Sequence, residues 1–367
     1  MKTAYIITMH CPLNYGAVLQ TYAFQTYLEK IGLQAKVIDY NPQYIVYDQS
    51  LMYVGDVRFR KNLITRWVYR IYKAPSKYIR RKKFKQFKEK ELHLTKRFES
   101  YVEIEHEGLD ADFFFCGSDQ IWNVVSGAHK DPAYFLGFVA DKNKKISYAA
   151  SGNLPLCDEV INITFPMINR LGRISMREDS TLREIQPYIK KAIAHVCDPV
   201  FLLDETEWRV FYQKHAKFCK KEKYVLVYPM GNGLEATISV ANQVATQMRI
   251  PLYMISASKR KDSRVDRQFD VDPYTFLSLI DNADFVVTNS FHGTSFSLIL
   301  GKQFLTCVAE GSNQRITSLL NMAGLAERLV IGNSLQRCNK VNIKVAKEEL
   351  SKYIERSKLY LSASIYE

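Results

Sequence analysis

The chain has 367 residues, 47% of them hydrophobic and 24% charged, which is enough for two domains with separate cores and excludes a disordered or fibrous protein. No uninterrupted apolar run approaches the roughly 20 residues of a spanning helix, and the seven cysteines form neither a CxxC nor a Cys/His cluster, so a membrane-spanning chain, a disulfide scaffold and a metal site are not expected. The net charge of +13 is local: residues 58–90 hold fourteen Lys or Arg against the single acid Glu89, and the remaining 37 bases balance 37 acids.

Residues 2–8 read as a strand, followed by a turn through Asn14, Tyr15 and Gly16 and a helix over 17–31 whose Leu19, Tyr22, Phe24, Tyr27, Leu28 and Ile31 recur at packing-face spacing. Gly32 stops that helix and residues 35–40 form the next strand, a βαβ unit of doubly wound type. Asn14, Tyr15 and Gly16 sit where such folds receive ligands, and equally suit a tight turn. The basic window 58–90 is helical in pattern, with Ile64, Trp67, Val68, Ile71 and Tyr72 on one side, Pro75 breaking it, and a second basic helix carrying Ile79, Phe84 and Phe87. This cationic, aromatic, amphipathic segment fits an anionic lipid surface; a solvated excursion is the competing reading.

A strand over 112–116 carries Cys116 as a small buried hydrophobe and ends in Gly117, Ser118, Asp119 and Gln120, with Trp122 behind. That mixture of hydroxyl, carboxylate, amide and indole suits a sugar, although Asp119 would also serve as a helix N-cap and Trp122 as a core residue. A strand over 145–150, a helix over 158–171 and a strand edge at 173–177 place Arg177 at a carboxyl end, where Glu178 or Asp179 would pair with it on the surface. Residues 198–204 close a first domain, 1–204. A second α/β alternation fills 205–340: strand 224–228, helix 234–247, strand 252–256, charged loop 258–270, helix 273–280, then strands 285–287 and 304–308. A helix within the last stretch, 341–367, is expected to return to the first domain. The order predicts an α/β protein of two Rossmann-like domains facing a cleft.

The most informative stretch is 281–301, DNADFVVTNSFHGTSFSLILG. A buried strand ends in Thr288, Asn289 and Ser290, His292 sits on the turn, Gly293 permits close approach, Thr294 or Ser295 would cap, and Phe296 to Leu300 supply a helix face. A turn between a strand's carboxyl end and a helix N-terminus attracts anions, so this one reads as an anion site with a titratable group. A His in such a turn is also often only a hydrogen-bonding residue.

Six blocks in order resemble the polysaccharide pyruvyl transferase family over residues 3–330: NYGAVLQTYAFQ at 14–25, DADFFFCGSDQIWN at 110–123, KISYAASGN at 145–153, ISMRED at 174–179, DPVFLLD at 198–204 and the His292 signature. The resemblance implies a GT-B-like fold and transfer of pyruvate from phosphoenolpyruvate to a sugar of a cell-surface glycan, forming a ketal. It implies catalytic roles for His292 and Arg177, and a donor site of Arg177, Ser290, His292, Gly293, Thr294 and, more loosely aligned, Arg315. Acceptor contacts are expected from Asn14, Tyr15, Gly16, Ser118, Asp119, Gln120 and Trp122. Many members carry a second Arg two positions before the signature His; Ser290 stands there, so Arg315, Lys302 or helix amides are expected to hold the donor's charge. No resident cofactor is implied, since phosphoenolpyruvate is the substrate. The expected acceptor is a lipid-linked oligosaccharide or polysaccharide precursor, and the expected location is the cytoplasm, with peripheral attachment to the anionic inner face of the membrane. A nucleotide-sugar-dependent glycosyltransferase is the alternative, and nucleic acid is not an expected partner, because no motif for it is present.

Overall fold

A computed structural model describes residues 1–50, 53–54, 62–218, 220–257, 262–308, 314–333, 335 and 339–366. Arg58, Arg60 and Lys61 of the basic window and residues 258–261 of the charged loop lie outside the described residues. The chain divides into two compact units, Met1–Leu202 with Glu355–Glu367, and Leu203–Ile354.

The first unit runs β1 (Lys2–Ile7), α1 (Tyr15–Lys30), β2 (Leu33–Tyr40), α2 (Gln43–Val46), α3 (Leu63–Glu91), β3 (Leu94–Phe98), α4 (Tyr101–Glu107), β4 (Phe113–Cys116), β5 (Lys145–Ser147), α5 (Phe165–Asn169), β6 (Ile174–Met176), α6 (Asp179–Ile185) and β7 (Ile193–His195). Its parallel sheet has the order β3-β2-β1-β4-β5, with Ala4 paired to Ala35 on one side and to Phe113 on the other. Parallel strands are covered on both faces, which is why FFFC and AYII are almost wholly apolar. Single bridges from Ile146 to Arg173 and from Ala150 to Met176 attach the parallel pair β6-β7 beyond β5. Strand order reverses between β1 and β4, where α/β sheets receive ligands.

Two features depart from the sequence reading. Pro75 does not break the basic segment: α3 is one helix of 29 residues with Pro75 inside it. Pro75 and Ile71 are both exposed, so the carbonyl that loses its partner faces water and the interruption is tolerated. Strands β3 and β7, and two in the second unit over Arg267–Phe269 and Leu329–Ile331, were not anticipated, because β3 (LTKRF) is an edge strand with a single fully buried residue and the other three are only three residues long; the strand at Arg267–Phe269 lies inside the stretch 258–270 expected as a loop.

The second unit runs α7 (Glu205–Gln213), β8 (Val225–Tyr228), α8 (Leu234–Met248), β9 (Leu252–Ile255), β10 (Arg267–Phe269), α9 (Pro273–Asn282), β11 (Phe285–Thr288), α10 (Phe291–Ile299), β12 (Phe304–Val308), α11 (Gln314–Met322), β13 (Leu329–Ile331) and the start of α12 (Ile343–Tyr366). Its sheet order, β10-β9-β8-β11-β12-β13, is again parallel and reverses between β8 and β11. Val225, Val227, Val244, Leu252, Val287 and Leu305 belong to its core. A capping box between Asp204 and Glu207 opens α7. From Glu355 onward α12 belongs to the first unit, where Ser357 Oγ accepts from Cys197 N at 2.8 Å and Tyr360 OH donates to Ser147 O at 3.1 Å. Among the described residues no helix is long and apolar enough to cross a membrane.

Candidate active site

In the first unit the carboxyl ends of β4, β5, β6 and β7 deliver polar residues to one another. After β4 the chain turns at Gly117, with φ +117° and a backbone so close to the Tyr148 carbonyl that a Cβ would collide with it. Asp119 follows in the left-handed region at φ +60°, a conformation aspartate tolerates. Arg177, leaving β6, is buried with a side chain only 3% exposed. Its Nε lies 3.2 Å from Glu178 and its Nη2 3.8 Å from Asp119; its Nη1 donates to Asp198. Nη2 also donates to Ser151 Oγ at 2.8 Å, and that hydroxyl donates to Glu178 Oε1 at 2.6 Å. Ser118 Oγ is 3.3 Å from Asp198 Oδ2 and 3.0 Å from Ala149 O. Burial alone would lower the guanidinium's pKa, but Glu178, Asp198 and Asp119 outweigh it and raise the pKa above the ordinary arginine value. Asp119, 15% exposed, is the carboxylate of this cluster that reaches solvent, since Glu178 and Asp198 are 3% and 0% exposed.

Behind the cluster, His195 donates Nε2–H to the Arg177 carbonyl at 3.1 Å, and burial pulls its pKa below the ordinary 6.5. At the ends of β1 and β2, the fully buried His10 lies 2.9 Å from Asp39 through Nε2 and 3.2 Å from Thr8 O through Nδ1. Burial pushes against the Asp39 charge, yet the hydrogen bonds from His10 and Asn41 hold its pKa well below the usual carboxylate range. Beyond the carboxyl ends of β2 and β3 lies a groove of about 760 Å³ lined by Tyr40, Tyr44, Tyr101, Glu99 and Asp131. The Tyr40 and Tyr44 hydroxyls both donate to Asp131 Oδ2 at 2.6 Å, which fixes two phenol rings on its wall.

In the second unit β11 and α10 build the turn around His292. Ser290, extended at φ −96°, caps α10 by accepting from Gly293 N at 3.3 Å. His292 is the second residue of α10, 6% exposed, with its ring edge-on to Phe291 at 5.2 Å. Thr288 Oγ1 donates to Tyr228 O at 2.7 Å and accepts from Ser290 N at 3.0 Å, tying β11 to β8 across the switch point. A Cβ on Gly293 would lie 2.5 Å from that Thr288 Oγ1, so glycine is what lets the helix start lie against the strand end. Asn289 clamps the loop that leaves β8, accepting from Met230 N at 2.6 Å and donating to Met230 O at 2.7 Å. Gly233, which opens α8, has no room for a side chain against the Asn289 amide.

A sequence model of the polysaccharide pyruvyl transferases matches residues 14–312. The chain belongs to the polysaccharide pyruvyl transferase family. No curated protein matches the chain by sequence. Among solved structures, a UDP-N-acetylglucosamine 2-epimerase from Rickettsia bellii superposes over 98% of this chain and 96% of its own with a TM-score of 0.51 at 8% identity. A UDP-GlcNAc 2-epimerase from Methanocaldococcus jannaschii gives 0.49 at 11% identity over 96% and 93%. The first likeness, at so low an identity, speaks to the fold, an α/β architecture of two parallel sheets of GT-B type.

The family's expected residues fall differently from the sequence reading. Arg177 is not the half of a surface pair with Glu178 or Asp179; it is buried among three carboxylates, and Asp179 pairs with Arg183 instead. Trp122 does not offer a face to a sugar: it is fully buried, stacked on Phe135 at 5.4 Å, with Nε1–H donated to Tyr134 O at 3.2 Å. Asn14 caps α1 at Ala17 N, and Tyr15 and Gly16 are buried within that helix. Asp119 caps no helix, since none follows it. Gln120 is half-buried and accepts from Asn123 Nδ2 at 2.8 Å. The cap of α10 is Ser290, not Thr294 or Ser295: the buried Thr294 hydroxyl donates to Ser290 O at 3.0 Å and that of Ser295 to Phe291 O at 2.9 Å. Lys302 cannot stand in for the missing arginine, because it precedes β12 at the amino edge of the sheet and donates to the Asp281 carbonyl. Arg315 is the second residue of α11 and half-buried. The sequence reading missed Ser151, Asp198, His195 and the loop 229–233; only the glycines at 231 and 233 between a strand and a helix were a usable signal.

Proposed function

We propose that the protein transfers the pyruvyl group of phosphoenolpyruvate to two hydroxyls of one sugar in a surface-polysaccharide precursor. The methylene carbon takes a proton, C2 accepts the two sugar oxygens in turn, inorganic phosphate leaves with the original C2–O bond, and a ketal remains. His292 serves this reaction in the second unit, as the acid toward the methylene or the base toward a hydroxyl, with the first amides of α10 and Arg315 meeting the donor's negative charge. The first unit receives the sugar. Asp119, the solvent-reaching carboxylate of the Arg177 cluster, orients or deprotonates an acceptor hydroxyl, and the tyrosine-walled groove takes neighbouring sugar rings. Arg177 acts as a positioning residue that holds Asp119, Glu178 and Asp198 in place.

The observation that carries this reading is the family match across 14–312, which includes both the Arg177 cluster and the His292 turn. The test is to incubate the purified chain with phosphoenolpyruvate and a panel of lipid-linked and free saccharides, following product mass and phosphate. Support is a pyruvylated saccharide formed with one phosphate per ketal. A product that forms only when a nucleotide sugar is supplied makes the protein a glycosyltransferase instead.

A further inference from the structure

We propose that α3 docks the protein on an anionic bilayer, with the outward face of Leu63 to Ile79 lying in the headgroup zone. A helix on a globular domain buries its apolar stripe and turns its charges to water. This one is inverted. Leu63, Ile64, Trp67, Val68, Ile71 and Tyr72, continued by Tyr78 and Ile79, are between 50% and 72% exposed. Thr65, Arg66, Arg70, Lys73, Ser76 and Lys77, on the other side of the same turns, are half-buried.

The helix is held in this orientation by its carboxyl half. Phe84 and Phe87 are its two buried residues, and by the 3.6-residue repeat they fall opposite the exposed stripe. Arg80 donates to Leu13 O at 2.9 Å and to Tyr15 OH at 3.3 Å, with its guanidinium over the Tyr15 and Phe84 rings at 5.2 and 5.0 Å. Lys77 donates to Ser50 O at 3.1 Å and Tyr53 O at 2.8 Å. The anchored end therefore sits on the turn into α1, and the apolar face points away from it.

Charge selects the occupant. Arg81, Lys82 and Lys85 are exposed on the outward side just beyond the stripe, with Glu89 the only acid of the helix face near them, 3.5 Å from Lys85. Two copies pairing in parallel through their stripes would bring such cationic segments together, and antiparallel pairing would leave them without a counter-charge, whereas an anionic membrane complements them while accepting Trp67 and its aliphatic neighbours. Among the described residues no helix is long and apolar enough to cross a membrane, and the attachment proposed is peripheral. The proposal does not depend on the transfer reaction; together they place the acceptor sugar on a lipid.

The experiment is co-sedimentation of the full chain with vesicles of phosphatidylcholine alone and of phosphatidylcholine with phosphatidylglycerol, over a salt series. Two variants are compared, Trp67→Glu with Ile71→Glu, and Arg81→Gln with Lys82→Gln and Lys85→Gln. Both alter exposed positions, so their melting curves should match the native chain. The native protein is expected to bind the anionic vesicles and to be released by salt. The charge variant should lose at least tenfold in partitioning, given roughly fivefold per cation near an anionic surface. The double glutamate variant should stay in the supernatant even at low salt. Failure of the native chain to sediment with anionic vesicles at low salt overturns the proposal. So does vesicle binding unaffected by the glutamates in a chain whose dimer they dissociate, a result that assigns the stripe to a second copy.

Discussion

Replacing Arg177 by Met separates the positioning role from direct donor binding. The side chain is 3% exposed and touches Glu178, Asp198, Asp119 and Ser151, so its loss leaves two carboxylates that are 3% and 0% exposed without their cation. Removing one partner of a buried ionic group typically costs about 3–5 kcal/mol, because the remaining charge stays desolvated. For a unit of roughly this size each kcal/mol moves the melting temperature by about 2–4 °C, so calorimetry should show a fall of about 6–20 °C in the first unit's transition. Arg177→Lys keeps the charge but not the fork that reaches three partners, and should lose less stability with the Michaelis constant for phosphoenolpyruvate little changed. If Arg177→Met melts within about 2–4 °C of the native protein, or if Arg177→Lys raises that constant strongly at unchanged stability, the guanidinium is a donor ligand and the positioning argument is wrong.

His292→Ala should lower turnover by about two to four orders of magnitude with the fold retained; near-native turnover removes His292 from the chemistry. Gly293→Ala forces a methyl against Thr288 Oγ1 and should cost about 1–3 kcal/mol in urea unfolding, partly recovered by Thr288→Ala; an unperturbed single variant refutes the close approach. His195 titrates below its ordinary 6.5 when folded, so the unfolded chain takes up its proton first. Its contribution is complete above pH about 6.5 and declines as pH falls toward the folded value, and His195→Gln should flatten the urea midpoint across that window. An identical slope in the variant assigns the pH dependence elsewhere.

The alternation of short apolar strands with helices was readable because buried parallel strands admit little but apolar residues: VLVY, FVVT and FFFC declare themselves. The His292 turn was readable for a related reason, as its strand, glycine and helix are contiguous. The Arg177 cluster was not. Asp119 and Asp198 are distant in sequence from Arg177, and only the pairing of β6 with β7 and the bridges from the β5 edge bring them together. Spacing therefore suggested the adjacent Glu178 and Asp179, of which one is a partner and the other is not. Trp122 looked like a sugar platform because sequence shows an indole beside polar residues but not the Phe135 ring that covers it. The amphipathicity of α3 was plain in its spacing, but which face meets the protein is decided by Phe84, Phe87 and Arg80, well beyond the stripe itself.

The central claim, ketal formation from phosphoenolpyruvate, is tested most directly by running the transfer in deuterated water with a saccharide acceptor and examining the product by mass spectrometry and NMR. Protonation of the donor's methylene carbon places one solvent deuterium in the methyl group of each new ketal, with one phosphate released. A saccharide product that carries no pyruvyl methyl, or that forms without phosphate release from phosphoenolpyruvate, contradicts the account.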